Sequence, residues 1–213
     1  MENNMKRIEC REQQYKFPFV AYVPENQVKK MPMIIQLHGA GERGSGQEEL
    51  NHVESYWFAK VMQRADYECL LVMPQCSEDT FWSAKIESIL EFIEQMKELY
   101  SVDENRVYLT GVSMGGYGTW LTAMARPDIF AAIAPVCGGG MAWNAEVLDM
   151  PIQTFHGTED TIVSPYQSDE MVERLRECGK DVQYTRMEGV EHNVWDYAPA
   201  EETLKWMLSH SRK

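Results

Sequence analysis

Three widely separated side chains in this sequence have the types and surroundings needed to break an acyl bond. Gly111-Val112-Ser113-Met114-Gly115 follows the apolar run Val107-Tyr108-Leu109. A serine between two glycines at that spacing, at a strand-to-helix junction, reads as a nucleophile elbow, because the turn is too tight for side chains on its flanks. A serine hydroxyl is a weak nucleophile until a base takes its proton, and the base needs a third group to fix its tautomer. Of the five histidines, His38 and His156 each precede a glycine at an expected strand end, His52 lies in a polar stretch and His210 near the C-terminus. His192 remains, in the loop Gly189-Val190-Glu191-His192-Asn193 between the last expected strand and the last expected helix. A lone loop histidine is ordinarily a solvated side chain, and it is the serine elbow upstream that singles this one out. The acid should lie between the two, after a strand. Gly157-Thr158-Glu159-Asp160-Thr161 offers Glu159 and Asp160, and we favour Asp160 because the shorter side chain suits that turn.

As serine attacks, charge develops on the substrate carbonyl oxygen, and a preformed pair of amide donors stabilises it. The first donor is expected to be the backbone N–H of Met114, directly after the serine. The second is assigned to the N–H of Ala40, in the glycine-rich loop His38-Gly39-Ala40-Gly41-Glu42-Arg43-Gly44. That loop lacks the Gly-Lys-Ser/Thr ending of a phosphate cradle. Gln75, Trp82, Trp143 and Trp195 fall on loops of the same side and are the expected substrate contacts, although a large aromatic more often fills a core. Glu42 and Arg43 are as well suited to a structural ion pair as to substrate.

These residues need a frame, and the sequence supplies one. Short apolar runs at residues 17–23, 33–37, 69–73, 106–110, 130–136 and 152–155, with 182–187 as the last strand, alternate with helical patterns. Such runs suit strands covered on both faces, hence a mostly parallel sheet. Ile86, Ile89, Leu90, Ile93 and Leu99 recur at helical spacing. A second helix is expected over 114–125, stopping before Arg126-Pro127, and a third after Ser164-Pro165-Tyr166-Gln167, read as an N-cap serine, a first-position proline and a capping-box glutamine. The last starts near Pro199. The expected fold is therefore α/β, three layers with helices on both faces of the sheet, no large lid, and a single domain over 1–213. Ligand sites in such sheets lie beyond the carboxyl ends of the strands, where every motif above falls.

The chain has 213 residues, 44% hydrophobic and 25% charged, with 33 acidic against 20 basic side chains for a net charge of −13. That balance argues against nucleic acid or an anionic membrane as partner. No apolar stretch is long enough to span a bilayer or resembles an export signal. Cys10, Cys69, Cys76, Cys137 and Cys178 are scattered, so reduced thiols and a cytoplasmic location are expected, with a Cys76–Cys137 bridge as the alternative. No cofactor or metal is expected, because no His/Cys/Asp cluster has ligand spacing. The sequence leaves monomer and homodimer open.

Together, Leu37-His38-Gly39-Ala40-Gly41-Glu42-Arg43-Gly44, Pro74-Gln75-Cys76, Gly111-Val112-Ser113-Met114-Gly115-Gly116, His156-Gly157-Thr158-Glu159-Asp160 and Glu191-His192-Asn193-Val194-Trp195-Asp196 resemble the compact α/β-hydrolases. The similarity is to small carboxylesterases, feruloyl-esterase-like enzymes and proteins labelled predicted peptidases. It runs from about Tyr15 to Leu208. The resemblance implies Ser113 as nucleophile, His192 as base, Asp160 as acid, and Ala40 and Met114 as oxyanion donors. These relatives share one machinery across esterases, thioesterases and peptidases, so the resemblance fixes mechanism better than substrate; the leading expectation is a serine carboxylesterase on small soluble esters, short acyl or hydroxycinnamoyl, including sugar-linked ones. A peptidase, a thioesterase or lysophospholipase, and a non-catalytic binding protein of the same fold are the alternatives.

Overall fold

The computed structural model describes residues 5–25, 30–64 and 67–212. Eight strands form one sheet: β1 (Met5–Cys10), β2 (Phe19–Pro24), β3 (Met31–Leu37), β4 (Leu70–Pro74), β5 (Val102–Val112), β6 (Ala132–Val136), β7 (Ile152–Gly157) and β8 (Val182–Met187). Their spatial order is β1-β2-β4-β3-β5-β6-β7-β8. The pairs β1/β2 and β2/β4 are antiparallel and the remaining pairs are parallel.

Alternation along the central strands sends side chains to two cores. Met33, Ile35 and Leu37 of β3 join one core, together with Val107 and Leu109 of β5. Ile34 and Tyr108 face the other way. The first core is closed by α2 (Ile86–Leu99), α3 (Met114–Ala125) and α4 (Tyr166–Glu177), through residues such as Phe92, Trp120 and Met171. The second is closed by α1 (Phe58–Met62) and α5 (Ala200–Leu208), through Phe58, Met62, Leu204 and Met207. Burial on both faces explains why the inner strands read as unbroken apolar runs.

The edges depart from the expectation. β1 has no place in the sequence reading because Lys6, Arg7 and Glu9 interrupt it, yet it pairs along its whole length with β2. Its Arg7 is tied to Glu54 at 2.6 Å. The polar stretch around His52, Glu48–Glu54, is a 3-10 helix that buries Leu50 and Val53. At α4 the N-cap is Pro165, and no side chain caps the helix. The expected capping box is therefore absent: Ser164 accepts the Gln167 N–H through its backbone oxygen, and the Gln167 side chain instead accepts from Tyr117 Oη at 3.3 Å. The turn expected after β2 reaches Asn26, which lies outside the described residues.

Candidate active site

Ser113 stands between β5 and α3 with φ 55° and ψ −116°, a conformation that costs a non-glycine residue roughly 1–3 kcal/mol. Backbone bonds hold it there: the Ser113 N–H donates to Val136 O at 2.9 Å, and the Tyr117 N–H donates to Ser113 O. Although it occupies the N-cap position, its hydroxyl caps nothing. The first turn of α3 sits directly on the end of β3. A Cβ at Gly115 would lie 2.1 Å from Leu37 O and 2.9 Å from His38 O, so only glycine permits this approach. The same contact brings the amide end of α3, which begins with Met114, against the loop that carries Ala40.

A second close approach assembles the other half of the site. A Cβ at Gly157, the last residue of β7, would lie 2.2 Å from Val190 O and 2.4 Å from Glu191 O. The loop after β8 therefore lies flat on the loop after β7. The two are stitched by Glu159 N–H to Val190 O, Thr158 N–H to Met187 O and Gly189 N–H to Thr158 Oγ1. His192 and Asp160 are the side chains this stitching brings face to face. Asp160 Oδ2 is 2.7 Å from His192 Nδ1, and His192 Nε2 is 2.9 Å from Ser113 Oγ. A carboxylate only accepts, so Nδ1 carries the proton and Nε2 is free to accept from the serine.

Asp160 is buried, and its other oxygen, Oδ1, accepts the Ile162 and Val163 N–H groups, each at 2.9 Å. Burial pushes its carboxyl up, but the bonds from His192 and from those two amides outweigh it and hold the group below the usual carboxylate value. Glu159 is exposed and lies outside this line. Trp195 sets its ring edge-on to His192, with centroids 5.4 Å apart, and meets Tyr56 on its other side at 5.6 Å.

Two of the expected substrate contacts are displaced. Gln75 and Trp82 are fully buried, with their polar atoms taken up by main chain. Gln75 Nε2 donates to Glu42 O and Glu49 O, and its Oε1 accepts the Gly46 N–H. Trp82 Nε1 donates to His38 O, and its ring packs on His38 and Phe17. Both brace the Ala40 loop from behind and are not on the surface of the site. A strand-end position fixes the side of the sheet but not whether a side chain points out or under. Trp143 is exposed (74%), on the 3-10 helix Ala142–Val147. The Ala40 loop begins a 3-10 helix, Ala40–Glu42, in which Ala40 is exposed. The preceding amide, Gly39 N–H, is already given to Tyr56 Oη at 2.6 Å. Tyr56 in turn donates to Glu42 Oε2. Arg43 binds the carbonyls of Ala40, Glu78 and Thr80 and stacks over Phe81, so Glu42 and Arg43 do not form the ion pair considered from the sequence.

Several contributors carry no sequence signal that singles them out. His38 is buried: its Nδ1–H donates to Gly39 O, its Nε2 accepts the Cys76 N–H, and burial pushes its pKa down to about 4. His156, four residues before Asp160, also reaches Asp160 Oδ2, at 3.2 Å. Cys137, buried at the end of β6, brings its sulfur within 4.8 Å of the Asp160 carboxylate and the His192 ring, a gathering that linear spacing did not foretell. Burial drives its thiol pKa far up, and the carboxylate and imidazole are engaged with each other in a row that continues to Ser113, with Cys137 standing beside it. All five cysteines are free, so no Cys76–Cys137 bridge forms.

The sheet order, the two helical layers and the placement of these residues beyond the strand ends define an α/β-hydrolase fold. A family model described as BD-FAE matches residues 21–131, just over half of the chain, and the chain belongs to that family. The bifunctional acetylxylan esterase/xylanase of Neocallimastix patriciarum is 31% identical over 162 residues, covering 73% of this chain and 23% of that protein. Feruloyl esterase B of Talaromyces funiculosus is 29% identical, covering 52% of this chain and 33% of the relative. The chain thus spans a third or less of these two relatives. Among solved structures, a thermostable esterase superposes with a TM-score of 0.81 at 30% identity, over 98% of this chain and 64% of the other. The S-formylglutathione hydrolase FrmB of Staphylococcus aureus shares the fold at a TM-score of 0.76 and 15% identity, over 98% of both chains.

Proposed function

We propose that the chain is a serine carboxylesterase that cleaves small esters through an acyl-enzyme, with Ser113 as nucleophile, His192 as base and Asp160 as the acid that orients it. The observation that carries this reading is the unbroken line from Asp160 Oδ2 through His192 to Ser113 Oγ, at 2.7 and 2.9 Å. In this reading Ser113 Oγ attacks the ester carbonyl carbon while His192 Nε2 takes its proton. The resulting oxyanion is met by the N–H groups of Met114 and Ala40, each donor contributing about 3 kcal/mol to the barrier reduction. Collapse breaks the ester bond, and the alkoxide leaves with the proton from His192. Water then repeats the sequence on the acyl-enzyme and frees the acid.

Short acyl or hydroxycinnamoyl esters, some sugar-linked, are the proposed substrates, in keeping with the names of the relatives above. Trp195, beside His192, and the exposed Trp143 are the proposed substrate contacts. We take the chain as one domain. Its five free thiols favour a reducing compartment such as the cytoplasm. Among the described residues no helix is long and apolar enough to cross a membrane. The test is turnover of p-nitrophenyl acetate, methyl ferulate and an aminoacyl-nitroanilide, with and without EDTA. Both esters should be cleaved in either condition, and a fluorophosphonate probe should label wild type but not Ser113→Ala. Preferred turnover of the anilide would indicate a peptidase. Full activity in Ser113→Ala would end the reading.

A further inference from the structure

Asp160 does not face one imidazole but two, and both address the same oxygen. His192 Nδ1 lies 2.7 Å from Oδ2 and His156 Nε2 lies 3.2 Å from it. His156 is wholly buried at the end of β7. Its Nε2 is also 2.9 Å from Val163 O, and its Nδ1 is 2.7 Å from Ser168 Oγ on α4. Ser168 is buried too, 2.8 Å from Gly138 O.

Counting protons settles the ring. Both neighbours of Nε2, a carbonyl and a carboxylate, can only accept, so Nε2 must carry a hydrogen. Burial favours the neutral ring, in which Nδ1 is then an acceptor; the single hydrogen of the Ser168 hydroxyl has two acceptors within reach, Nδ1 and Gly138 O, and is shared between them. Asp160 is therefore met by two amides on Oδ1 and by His192 Nδ1–H on Oδ2, and the single His156 Nε2–H is shared between Oδ2 and Val163 O. The charged and titratable groups around this ring are Asp160 and His192. Tyr117 and Cys137 stand near the same carboxylate, and burial keeps both un-ionised.

We propose that His156, its tautomer and ring plane held by Ser168 and Val163 O, is a positioning residue for Asp160 that shares Oδ2 with His192 and so sets how strongly that oxygen draws on the base. This rests on the triad reading above. When Ser113 attacks, His192 becomes imidazolium and its bond to Oδ2 tightens. The longer bond from His156 is the one that yields. A space-filling role would not link His156 to the base. A shared acceptor does, because removing the second donor leaves Oδ2 with more charge and stabilises the imidazolium of His192.

The test has two arms. In wild-type protein, 15N NMR of labelled histidine should show His156 protonated on Nε2 across the active pH range. A ring protonated on Nδ1 alone would overturn the proposal without recourse to any variant. In the second arm, kcat/KM is followed against pH for His156→Leu, His156→Gln and Ser168→Ala. The leucine variant should lose roughly 10- to 100-fold in kcat because Asp160, no longer braced by His156, holds His192 less well aligned, and its acidic limb should move up by about half a pH unit or more because Oδ2 gains charge. The glutamine variant, whose amide nitrogen can donate from the same place, should restore the limb and most of kcat. Ser168→Ala should shift the limb in the same direction by less. Limbs unmoved in all three variants, in a protein that still labels at Ser113, would overturn the role of His156 while leaving the triad reading intact. Loss of labelling dependence on Ser113 would instead remove the triad reading itself.

Discussion

Replacing Asp160 by asparagine changes one atom, and the surroundings decide where that atom goes. Oδ1 accepts two amide N–H groups at 2.9 Å, from Ile162 and Val163. An NH2 placed there would face two donors, so the asparagine oxygen must take that side. The NH2 then occupies the Oδ2 position, 2.7 Å from His192 Nδ1, where the donors, unlike main-chain amides, can adapt: His156 Nε2–H keeps Val163 O and His192 can change tautomer. It donates to Nδ1, which forces the proton of His192 onto Nε2, and an Nε2–H cannot accept from Ser113. The base is present, correctly placed and in the wrong tautomer. The expected loss is about 10⁴-fold in kcat, or about 5.4 kcal/mol of barrier. The two amide bonds survive, so the urea midpoint should stay close to wild type. Asp160→Ala, which leaves the Ile162 and Val163 amides and His192 Nδ1–H without their acceptor, should also destabilise the fold by about 2–4 kcal/mol. Initial rates on p-nitrophenyl acetate near neutral pH, with urea unfolding alongside, measure both quantities. An Asp160→Asn enzyme within about tenfold of wild type would refute the tautomer argument.

Three further outcomes follow from contacts outside the row. Gly115→Ala drives a Cβ into backbone at Leu37 and His38, and should cost more than about 3 kcal/mol in urea unfolding or prevent accumulation of folded protein. Gln75→Leu strands three main-chain groups behind the Ala40 loop, so stability should fall by about 2–4 kcal/mol and kcat should fall with it, because the loop loosens. For His38 the folded pKa, about 4, lies below the unfolded value of 6.5, so the unfolded chain binds the proton more readily. Stability should therefore be full above pH 6.5 and decline by about 3 kcal/mol as pH falls to 4. His38→Gln, which retains an acceptor for Cys76 N–H, should flatten that decline in urea titrations.

The candidate constellation was legible because its members announce themselves locally. A glycine-flanked serine after an apolar run, an acid after a strand and a histidine between strand and helix each carry a backbone requirement that sequence can express. The central strands were legible for a similar reason, since burial on both faces writes itself as an unbroken apolar run. What stayed hidden depends on partners distant in sequence. β1 is an edge strand whose outward Arg7 pairs with Glu54, and nothing near Arg7 predicts that. Trp82 and Gln75 sit at readable positions, yet the direction of their side chains was set by carbonyls of the facing loop. His156 shows the same limit: its spacing to Asp160 is plain, but its partners Ser168 and Gly138 come from α4 and the end of β6.

The reactive geometry is fixed by main chain meeting main chain, and this explains where the protein tolerates cost. Ser113 holds an unfavourable conformation, and His38, His156, Gln75 and Asp160 are buried polar groups. Each would destabilise the fold if its partners were lost, because a buried polar group left unpaired costs about 1–3 kcal/mol. None is loose: one glycine contact presses the junctions after β3 and β5 together and the other those after β7 and β8, and every one of these groups has a main-chain or side-chain partner. Two apolar cores, one on each face of the sheet, offset the expense. Substitutions that widen either glycine contact should therefore impair catalysis and stability together, whereas changes to Asp160 that preserve its amide bonds should separate the two.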